Sequence, residues 1–254
     1  MKFQLIIALI LFSVFSLVGS SCQKEDGGGC VTTSGPMKYE ERPSPLDIDS
    51  LIIRGEFRVT LKQDKEPRLY LYSGANLLPG IITRYKHKTL YIEDLNTCDF
   101  LRDLGLKTKI FISVTQLKMI EFTSSGTLES PDTLQFDSLR VESRDGAGSI
   151  RLLLDTQKTW LIQHSGTGAV DFTAQGRTNY LFIYNRGYAP FHCDELICPG
   201  YTHVVHYGSN NCRVNCGAIL QAELWGIGDI YYSGSPHTIW LRGDGKGRLI
   251  HIKP

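Results

Sequence analysis

Ser125-Gly126-Thr127-Leu128 is the first of seven short phrases, each centred on a glycine, that recur along residues 124–254. The second phrase is Ala147-Gly148-Ser149-Ile150, and the sixth is Ile227-Gly228-Asp229-Ile230. The central glycines stand 22, 20, 19, 21, 20 and 19 residues apart, at Gly126, Gly148, Gly168, Gly187, Gly208, Gly228 and Gly247. A constant period of about 20 residues is typical of a stacked repeat, in which each unit buries its apolar edge against the next.

The residues that follow each glycine alternate in character. Six of the seven residues two positions after the glycine are apolar, in the column Leu128, Ile150, Val170, Ala189, Asn210, Ile230 and Leu249. Alternation with period two indicates a half-buried strand. A second strand pattern precedes the glycine, for example at residues 160–163, 180–184, 202–207 and 239–242. The sequence therefore predicts an all-β parallel β-helix or related solenoid with coils of about 20 residues and a glycine at each sharp turn.

Two other architectures fit part of this pattern. A leucine-rich repeat has a compatible period, and Leu134, Leu139 and Val141 match part of its spacing, but the Asn or Cys ladder of such repeats is missing. A β-sandwich of hairpins would account for the strands. It does not explain why the glycines keep a common phase, so the solenoid is favoured.

The segment before the repeats contains strands without the glycine column. Alternating patterns occur at residues 56–62, 68–72, 89–93 and 109–114, separated by glycine and proline. Terminal units of solenoids are usually irregular because one face meets water. We therefore divide the chain into an N-terminal β section at residues 37–122, which forms the cap and the first coils, and glycine-phased repeats at residues 123–254.

Residues 1–21 have the features of a signal peptide. Lys2 is followed by an apolar run that is too short for a membrane span, and small residues lead into Cys22. This junction resembles a bacterial lipobox, although Gly19 stands where Leu is usual. Lipidation of Cys22 is predicted, with an ordinary thiol after a cleaved signal as the alternative. Residues 22–36 then form the lipidated tether, in which three glycines follow Gln23-Lys24-Glu25-Asp26. That tetrapeptide resembles the surface-export signal of Bacteroidetes lipoproteins.

Several phrases together resemble one known family. They are Cys30 with the following Thr32-Thr33-Ser34-Gly35, the segment at residues 96–102, Asp145-Gly146-Ala147-Gly148-Ser149-Ile150, and the terminal phrase at residues 228–234. In order and spacing they are similar to the "putative auto-transporter adhesin head, GIN-domain" proteins of Bacteroidetes. The resemblance covers nearly the whole mature chain. It implies a β-helical fold and a location in the cell envelope, and it adds support for an adhesion role.

The chain has seven cysteines, and an exported protein meets an oxidising compartment in which disulfides can form. Cys30 and Cys98 both lie within the family-like phrases, and we take them as the preferred disulfide. The pairing among Cys30, Cys98, Cys193, Cys198, Cys212 and Cys216 cannot be fixed from sequence. Metal binding near His203 and His206 is disfavoured because residues three apart on a strand face opposite sides, and no Cys-x-x-Cys pair occurs there. Buried thiols or a second disulfide are expected instead.

No catalytic, cofactor or nucleic-acid signature is present. Asp145, Asp171 and Asp229 stand at different phases relative to their glycines, so a stacked catalytic group is not expected. Nucleotide-binding, metalloprotease and serine-hydrolase motifs are missing. With 27 basic and 26 acidic residues and no basic run, the chain has no electrostatic signature for nucleic acid.

Tyrosines are the candidate ligand contacts. Those in or near predicted strands include Tyr180 and Tyr232, and the four selected as ligand-facing are Tyr184, Tyr188, Tyr207 and Tyr231. Exposed tyrosines can stack on sugar rings or bind protein. The sequence therefore predicts an outer-membrane lipoprotein at the cell surface that acts as a non-catalytic binding or adhesion module for a protein or glycan ligand. A periplasm-facing structural scaffold and an atypical glycan-processing β-helix enzyme remain the alternatives.

Overall fold

The computed structural model describes residues 33–96, 107–164 and 168–253. This part of the chain forms 19 β-strands and one 3-10 turn at Leu78–Gly80, and none of its helices is long and apolar enough to span a membrane. The strands of the first half are β1 (Met37–Arg42), β2 (Ser50–Arg54), β3 (Phe57–Gln63), β4 (Arg68–Gly74), β5 (Ile81–Lys86), β6 (Thr89–Asp94), β7 (Thr108–Val114), β8 (Met119–Thr123) and β9 (Thr127–Glu129). The later strands are β10 (Leu134–Ser143), β11 (Ser149–Gln163), β12 (Asp171–Asn185), β13 (Phe191–Cys198), β14 (Tyr201–His206), β15 (Cys212–Cys216), β16 (Ile219–Leu224), β17 (Ile230–Ser233), β18 (Thr238–Arg242) and β19 (Leu249–His251).

The strands form two parallel stacks around one core. The front stack runs in the order β6, β2, β8, β10, β11, β12, β14, β16, β18. The back stack runs in the order β7, β3, β9, β11, β12, β13, β15, β17, β19. Residues 150, 172, 191, 212, 230 and 249 are successive partners in the back stack, at intervals of 22, 19, 21, 18 and 19 residues. The predicted all-β solenoid is confirmed.

The core consists of inward side chains at alternate strand positions. Many inward residues of the front stack are aliphatic, as with Leu51, Ile120 and Val141, which are all fully buried. Burial of such side chains stabilises the folded chain by about 1.5–3 kcal/mol each. Another inward column, near the strand ends, is polar at Gln163, Asn185 and His206, which are also fully buried. Because every coil contributes its inward residues to the same column, the hydrophobic core extends through the stack without a break.

The paired register differs from the predicted glycine column in the middle coils. Ile150 pairs with Phe172, two residues beyond the predicted partner Val170. Phe191 and Cys212 likewise take the places predicted for Ala189 and Asn210. A shift of two residues keeps every side chain on its own side of the sheet, because the strand period is two. The alternation of apolar and polar residues therefore remained valid although the alignment was wrong in these coils.

The repeating glycines have a different role from the predicted one. None of the seven adopts a positive φ, so a left-handed turn does not require them. Six of the seven, all but Gly187, allow close approach between coils instead. A Cβ placed on Gly148 would lie 1.9 Å from the carbonyl oxygen of Gly126 in the preceding coil. A side chain at this position would push the two coils apart.

The two ends of the solenoid are built differently. At the end where the described chain begins, β1 pairs antiparallel with β4, β4 with β7, and β5 with β6. The 3-10 turn lies beside these strands, and its Leu78 is buried. We call this the closed end. At the other end, β18 and β19 form the last coil, which we call the open end. The predicted division between residues 122 and 123 stays a prediction.

Candidate functional site

The outer surface of the front stack carries most of the large aromatic side chains of the repeats. Strand alternation directs residues such as Tyr180, Phe182 and Tyr184 outward, while Leu181 and Ile183 between them are fully buried. Parallel pairing then places outward residues of successive coils side by side. The resulting surface, here called the aromatic face, consists of Trp160, Tyr180, Phe182, Tyr184, Tyr201, Tyr207, Trp225 and Trp240.

The rings of the aromatic face form two connected rows. In the first row the ring centroids of Trp160 and Tyr180 are 5.8 Å apart, those of Tyr180 and Tyr201 5.7 Å, and those of Tyr201 and Trp240 6.4 Å. These separations are typical of interacting aromatic pairs. The four rings come from β11, β12, β14 and β18, and β16 lies between the last two of these strands.

The second row lies at the ends of the same strands. The ring of Tyr207 is 6.1 Å from that of Tyr184 and also 6.1 Å from that of Trp225, with which it stacks at an interplanar angle of 16°. The guanidinium of Arg186 lies 6.0 Å from the Tyr207 ring centroid. Tyr207 and Trp225 are 47% and 39% exposed, so both rings are open to a ligand from solvent.

Polar side chains lie between the rings. His203 Nε2 is 2.9 Å from Glu223 Oε1, and Gln221 Nε2 donates to the same oxygen at 2.8 Å. The Tyr201 hydroxyl donates to Gln221, and Trp225 Nε1 donates to Glu223 Oε2 at 3.3 Å. The aromatic face therefore combines apolar ring surface with fixed hydrogen-bonding groups.

A second His–Glu pair lies further along the front stack. His164 Nε2 is 2.6 Å from Glu142 Oε2, and Arg140 also binds this carboxylate. Burial raises the pKa of Glu142, but the hydrogen bonds from His164 and Arg140 outweigh burial and leave that pKa below its ordinary value. The pKa of Glu223 is lowered in the same way, because hydrogen bonds led by His203 outweigh the effect of burial. Both carboxyls are therefore ionised at neutral pH.

The tyrosine hydroxyls have the opposite shift. Burial raises the pKa of Tyr180 and of Tyr201 above the ordinary value. Both phenols therefore stay protonated at neutral pH, and each can donate and accept a hydrogen bond.

The four tyrosines selected from the sequence are separated in the structure. Tyr184 and Tyr207 are neighbours on the aromatic face. Tyr188 is exposed in the connection before β13, where its carbonyl accepts a hydrogen bond from Asn210 Nδ2 at 2.6 Å. Tyr231 lies on β17 in the back stack, with the Arg213 guanidinium 5.0 Å from its ring centroid. One surface therefore contains two of the four candidates.

The sequence reasoning missed Trp160, Phe182, Tyr201, Trp225 and Trp240. One available signal was the run of aromatics at alternate positions 180, 182 and 184, which must share a face if they lie on one strand. A second signal was the recurrence of aromatics at 160, 180 and 201, close to the coil period. Linking Tyr201 to Trp240 required the three-dimensional pairing of β14, β16 and β18.

The cysteines of the described chain are buried in the core. Cys193, Cys198, Cys212 and Cys216 are free thiols. The described residues contain no group of three or more His, Cys, Asp or Glu side chains placed to hold a metal ion. Cys22, Cys30 and Cys98, which carry the predicted lipid and the preferred disulfide, lie outside the described residues.

The fold and this surface define a class of protein, a β-solenoid with an extended aromatic outer face. The chain belongs to the family described as "Putative auto-transporter adhesin, head GIN domain", whose model matches residues 47–236. The resemblance inferred from the sequence is thus confirmed. Membership of this family supports a binding or adhesion role.

Solved structures share the fold. A "putative adhesin" from Bacteroides fragilis is 20% identical with a TM-score of 0.78, and the match covers 85% of this chain and 97% of that chain. A "putative adhesin" from Parabacteroides distasonis is 16% identical with a TM-score of 0.64, over 89% of this chain and 99% of that one. A "Putative lipid binding protein" from the same organism is 18% identical with a TM-score of 0.60, over 89% and 98%. At these identities the likeness establishes the fold. No curated protein matches the chain in sequence.

Proposed function

We propose that this chain is a lipid-anchored protein of the outer cell surface that binds glycans, without catalysis, through the aromatic face. The observation that carries the proposal is the row of rings from Trp160 to Trp240, interleaved with hydrogen-bonding side chains. A sugar ring has an apolar face of C–H groups and a rim of hydroxyls. The aromatic rings can pack against the C–H face, and fixed polar groups such as Glu223 and Gln221 can form hydrogen bonds with the hydroxyls.

The regular spacing of the face favours an extended ligand over a small one. Neighbouring strands of a sheet lie about 4.8 Å apart, so outward side chains repeat along the stack at this interval. A polymer of similar units can contact successive coils through similar groups. The rows from Trp160 to Trp240 and from Tyr184 to Trp225 both run across coils, which supports a glycan chain as the ligand.

The acids on the face support binding without catalysis. A general acid that works near neutral pH needs a raised pKa, as a buried carboxyl in an apolar site has. The pKa values of Glu142 and Glu223 are lowered instead, because each carboxylate accepts hydrogen bonds from its neighbours. These groups are suited to hold a hydroxyl rather than to protonate a leaving group.

The proposed anchor enters at the closed end. Residues 33–36 lead directly into β1, the outermost strand of the back stack there, and the carbonyl of Thr33 accepts a hydrogen bond from Asn76 Nδ2 at 2.9 Å. The aromatic face lies on later coils, towards the open end. A lipid on Cys22 would thus place the face away from the membrane, as an adhesin requires.

Binding can be tested with purified protein on an array of bacterial and host glycans, followed by titration calorimetry of the best ligand. Tyr201→Ala and Trp225→Ala should each weaken binding about tenfold, because truncating a central aromatic contact typically costs 1–2 kcal/mol or more. Tyr39→Ala is the matched control, since Tyr39 is 64% exposed on the back stack and outside the face. Equal losses in all three variants, or binding of proteins but of no glycan, would refute the glycan assignment.

The location needs a separate test. Protease treatment of intact cells should digest this protein while a known periplasmic protein survives. Protection until the outer membrane is opened would favour the periplasmic scaffold and would end the surface-adhesion proposal. Replacing Cys22 with serine should release the protein from the membrane fraction if that cysteine carries the lipid.

A further inference from the structure

The last coil leaves core positions open to solvent. Ile239 and Leu241 on β18 continue inward columns whose preceding members, Leu220 and Ala222 on β16, are fully buried. Yet Ile239 is 41% exposed and Leu241 is 57% exposed. A cavity of about 450 Å³ borders the same strand, lined by Gln221, Ile239, Trp240, Leu241 and Arg242. The hydrophobic core therefore reaches the surface at the open end.

One edge of each strand at this end also has no neighbouring strand within the described residues. Within the described ranges, β18 pairs only with β16, and β19 pairs only with β17. An open edge strand is a template for another strand, and proteins usually protect it with charges, proline or a covering segment. Strand β18, Thr238-Ile239-Trp240-Leu241-Arg242, has a single charge and no proline.

The edge strands of the closed end have this protection. Strand β1 contains Lys38, Glu40, Glu41 and Arg42, and β5 contains Arg84 and Lys86. The core beneath them is covered, since Leu71 and Ile81 are fully buried. If the open end of one molecule packed on the closed end of another, it would therefore meet a charged edge and no exposed core.

We propose that a second copy of this chain covers the open end, related by a two-fold axis, so that β18 of each copy pairs antiparallel with β18 of the other. A two-fold axis perpendicular to the front stack makes β18 antiparallel to its own copy, keeps the inward side of both copies on the same side, and closes the assembly at two chains. This contact goes beyond glycan binding and does not depend on it.

The sequence of β18 is self-complementary in this arrangement. With the axis at Trp240, Ile239 faces Leu241 of the second copy on the inward side, which continues the core across the junction. On the outward side Trp240 lies against Trp240 of the second copy. Arg242 lies opposite Thr238, so no like charges oppose each other within the strand pair.

The dimer would join the two front stacks into one sheet. The aromatic faces would then be continuous, with Trp240 at the centre of a doubled surface. The chain enters each copy at its closed end, so the two tethers would leave from opposite ends of the assembly. This is the geometry that contact between copies on two facing surfaces needs.

Sedimentation velocity of the full chain in a mild detergent tests the contact without any ligand. We expect a species of twice the single-chain mass that dissociates on dilution. Leu241→Asp should raise the dissociation constant at least tenfold, because it places charge in the junction. The matched control is Ile227→Asp, at a side chain that is 65% exposed in the turn between β16 and β17, and it should leave the dimer intact.

Trp240→Glu is a second variant that leaves the inward residues unchanged, and it should separate the copies by opposing two carboxylates. Circular dichroism will show whether each variant is folded, and a folded Trp240→Glu chain decides the question if Leu241→Asp is not folded. A single chain at all concentrations up to about 100 μM would overturn the proposal. So would a dimer that survives both substitutions, which would indicate association through the detergent-bound segment. Glycan binding is measured separately, so either proposal can fail alone.

Discussion

The closed and open ends of this solenoid differ in whether the chain covers the hydrophobic core. At the closed end, antiparallel strands and the turn at Leu78–Gly80 cover the core, and the edge strands are charged. At the open end, the inward residues Ile239 and Leu241 are exposed and the edge strand is apolar. In a stacked repeat each coil buries its apolar residues only against the neighbouring coils. The first and last coils therefore expose the hydrophobic core unless another segment or molecule covers it. The chain itself covers the core at the closed end and leaves Ile239 and Leu241 exposed at the open end, and the proposed two-fold contact rests on this difference.

Matched leucine truncations should show the largest difference between the ends. Leu71→Ala removes a fully buried side chain at the closed end, and we expect it to lower the free energy of unfolding by about 2–5 kcal/mol. Leu241→Ala removes a side chain that is more than half exposed, and in dilute monomer it should cost less than about 1 kcal/mol. Urea denaturation followed by circular dichroism measures both. Equal losses would mean that the open end is already covered in the monomer.

Acid should loosen the coils near the open end first. Burial lowers the pKa of His206 to about 4, from an ordinary value of 6.5. Between these values the unfolded chain binds more protons, so stability is lost as the pH falls from about 6.5 to about 4, by about 3 kcal/mol in total. Hydrogen exchange in β14 and β16 should therefore accelerate in acid before exchange in β3 and β7.

His206→Leu should remove this pH dependence. In the next coil the same inward position, paired with His206, is occupied by Leu224, so leucine is already found in this column. The variant should show a flatter stability profile between pH 4 and about 6.5, while its stability at pH 8 stays within about 1–2 kcal/mol of the parent. An unchanged acid slope would show that another group controls it.

Two glycine substitutions should lower the free energy of unfolding by different amounts in an inner coil and in the last coil. A Cβ on Gly148 would lie 1.9 Å from Gly126 O, and one on Gly247 would lie 2.0 Å from Gly228 O. Gly148 lies between coils that cannot move apart, so Gly148→Ala should cost about 1–3 kcal/mol. The last coil can shift outward, so Gly247→Ala should cost less. Gly187→Ala, whose nearest contact would be 3.7 Å, serves as the control and should cause no loss.

Ion pairs at the closed end should have the smallest effect. Arg54 reaches Glu93 at 3.1 Å and Glu121 at 3.2 Å, which links three strands of the front stack. Its side chain is half exposed, so Arg54→Gln should lower stability by at most about 1 kcal/mol, and high salt should reduce even that difference. A large loss that high salt abolishes would mean that charge, rather than covered core, stabilises the closed end.

Local patterns predicted much of the fold but less of the site. Alternation around the glycines correctly predicted strands, inward residues and the solenoid class. The same alternation could not reveal that Phe172, rather than Val170, pairs with Ile150, since a shift of two residues preserves the pattern. Two of the four selected tyrosines, Tyr184 and Tyr207, lie together on the aromatic face. The tryptophans were missed because their neighbours along the face come from other coils.

By itself the sequence determined the period, the strand alternation and hence the all-β stacked class, because these depend on residues close together in the chain. Tertiary structure alone decided that β2 lies between β6 and β8, that the closed end is covered, and that Trp160 and Trp240 belong to one surface. Such contacts join residues tens of positions apart through the register of stacked coils. That register is chosen by packing between coils, such as the approach of Gly148 to Gly126, and no local pattern encodes it.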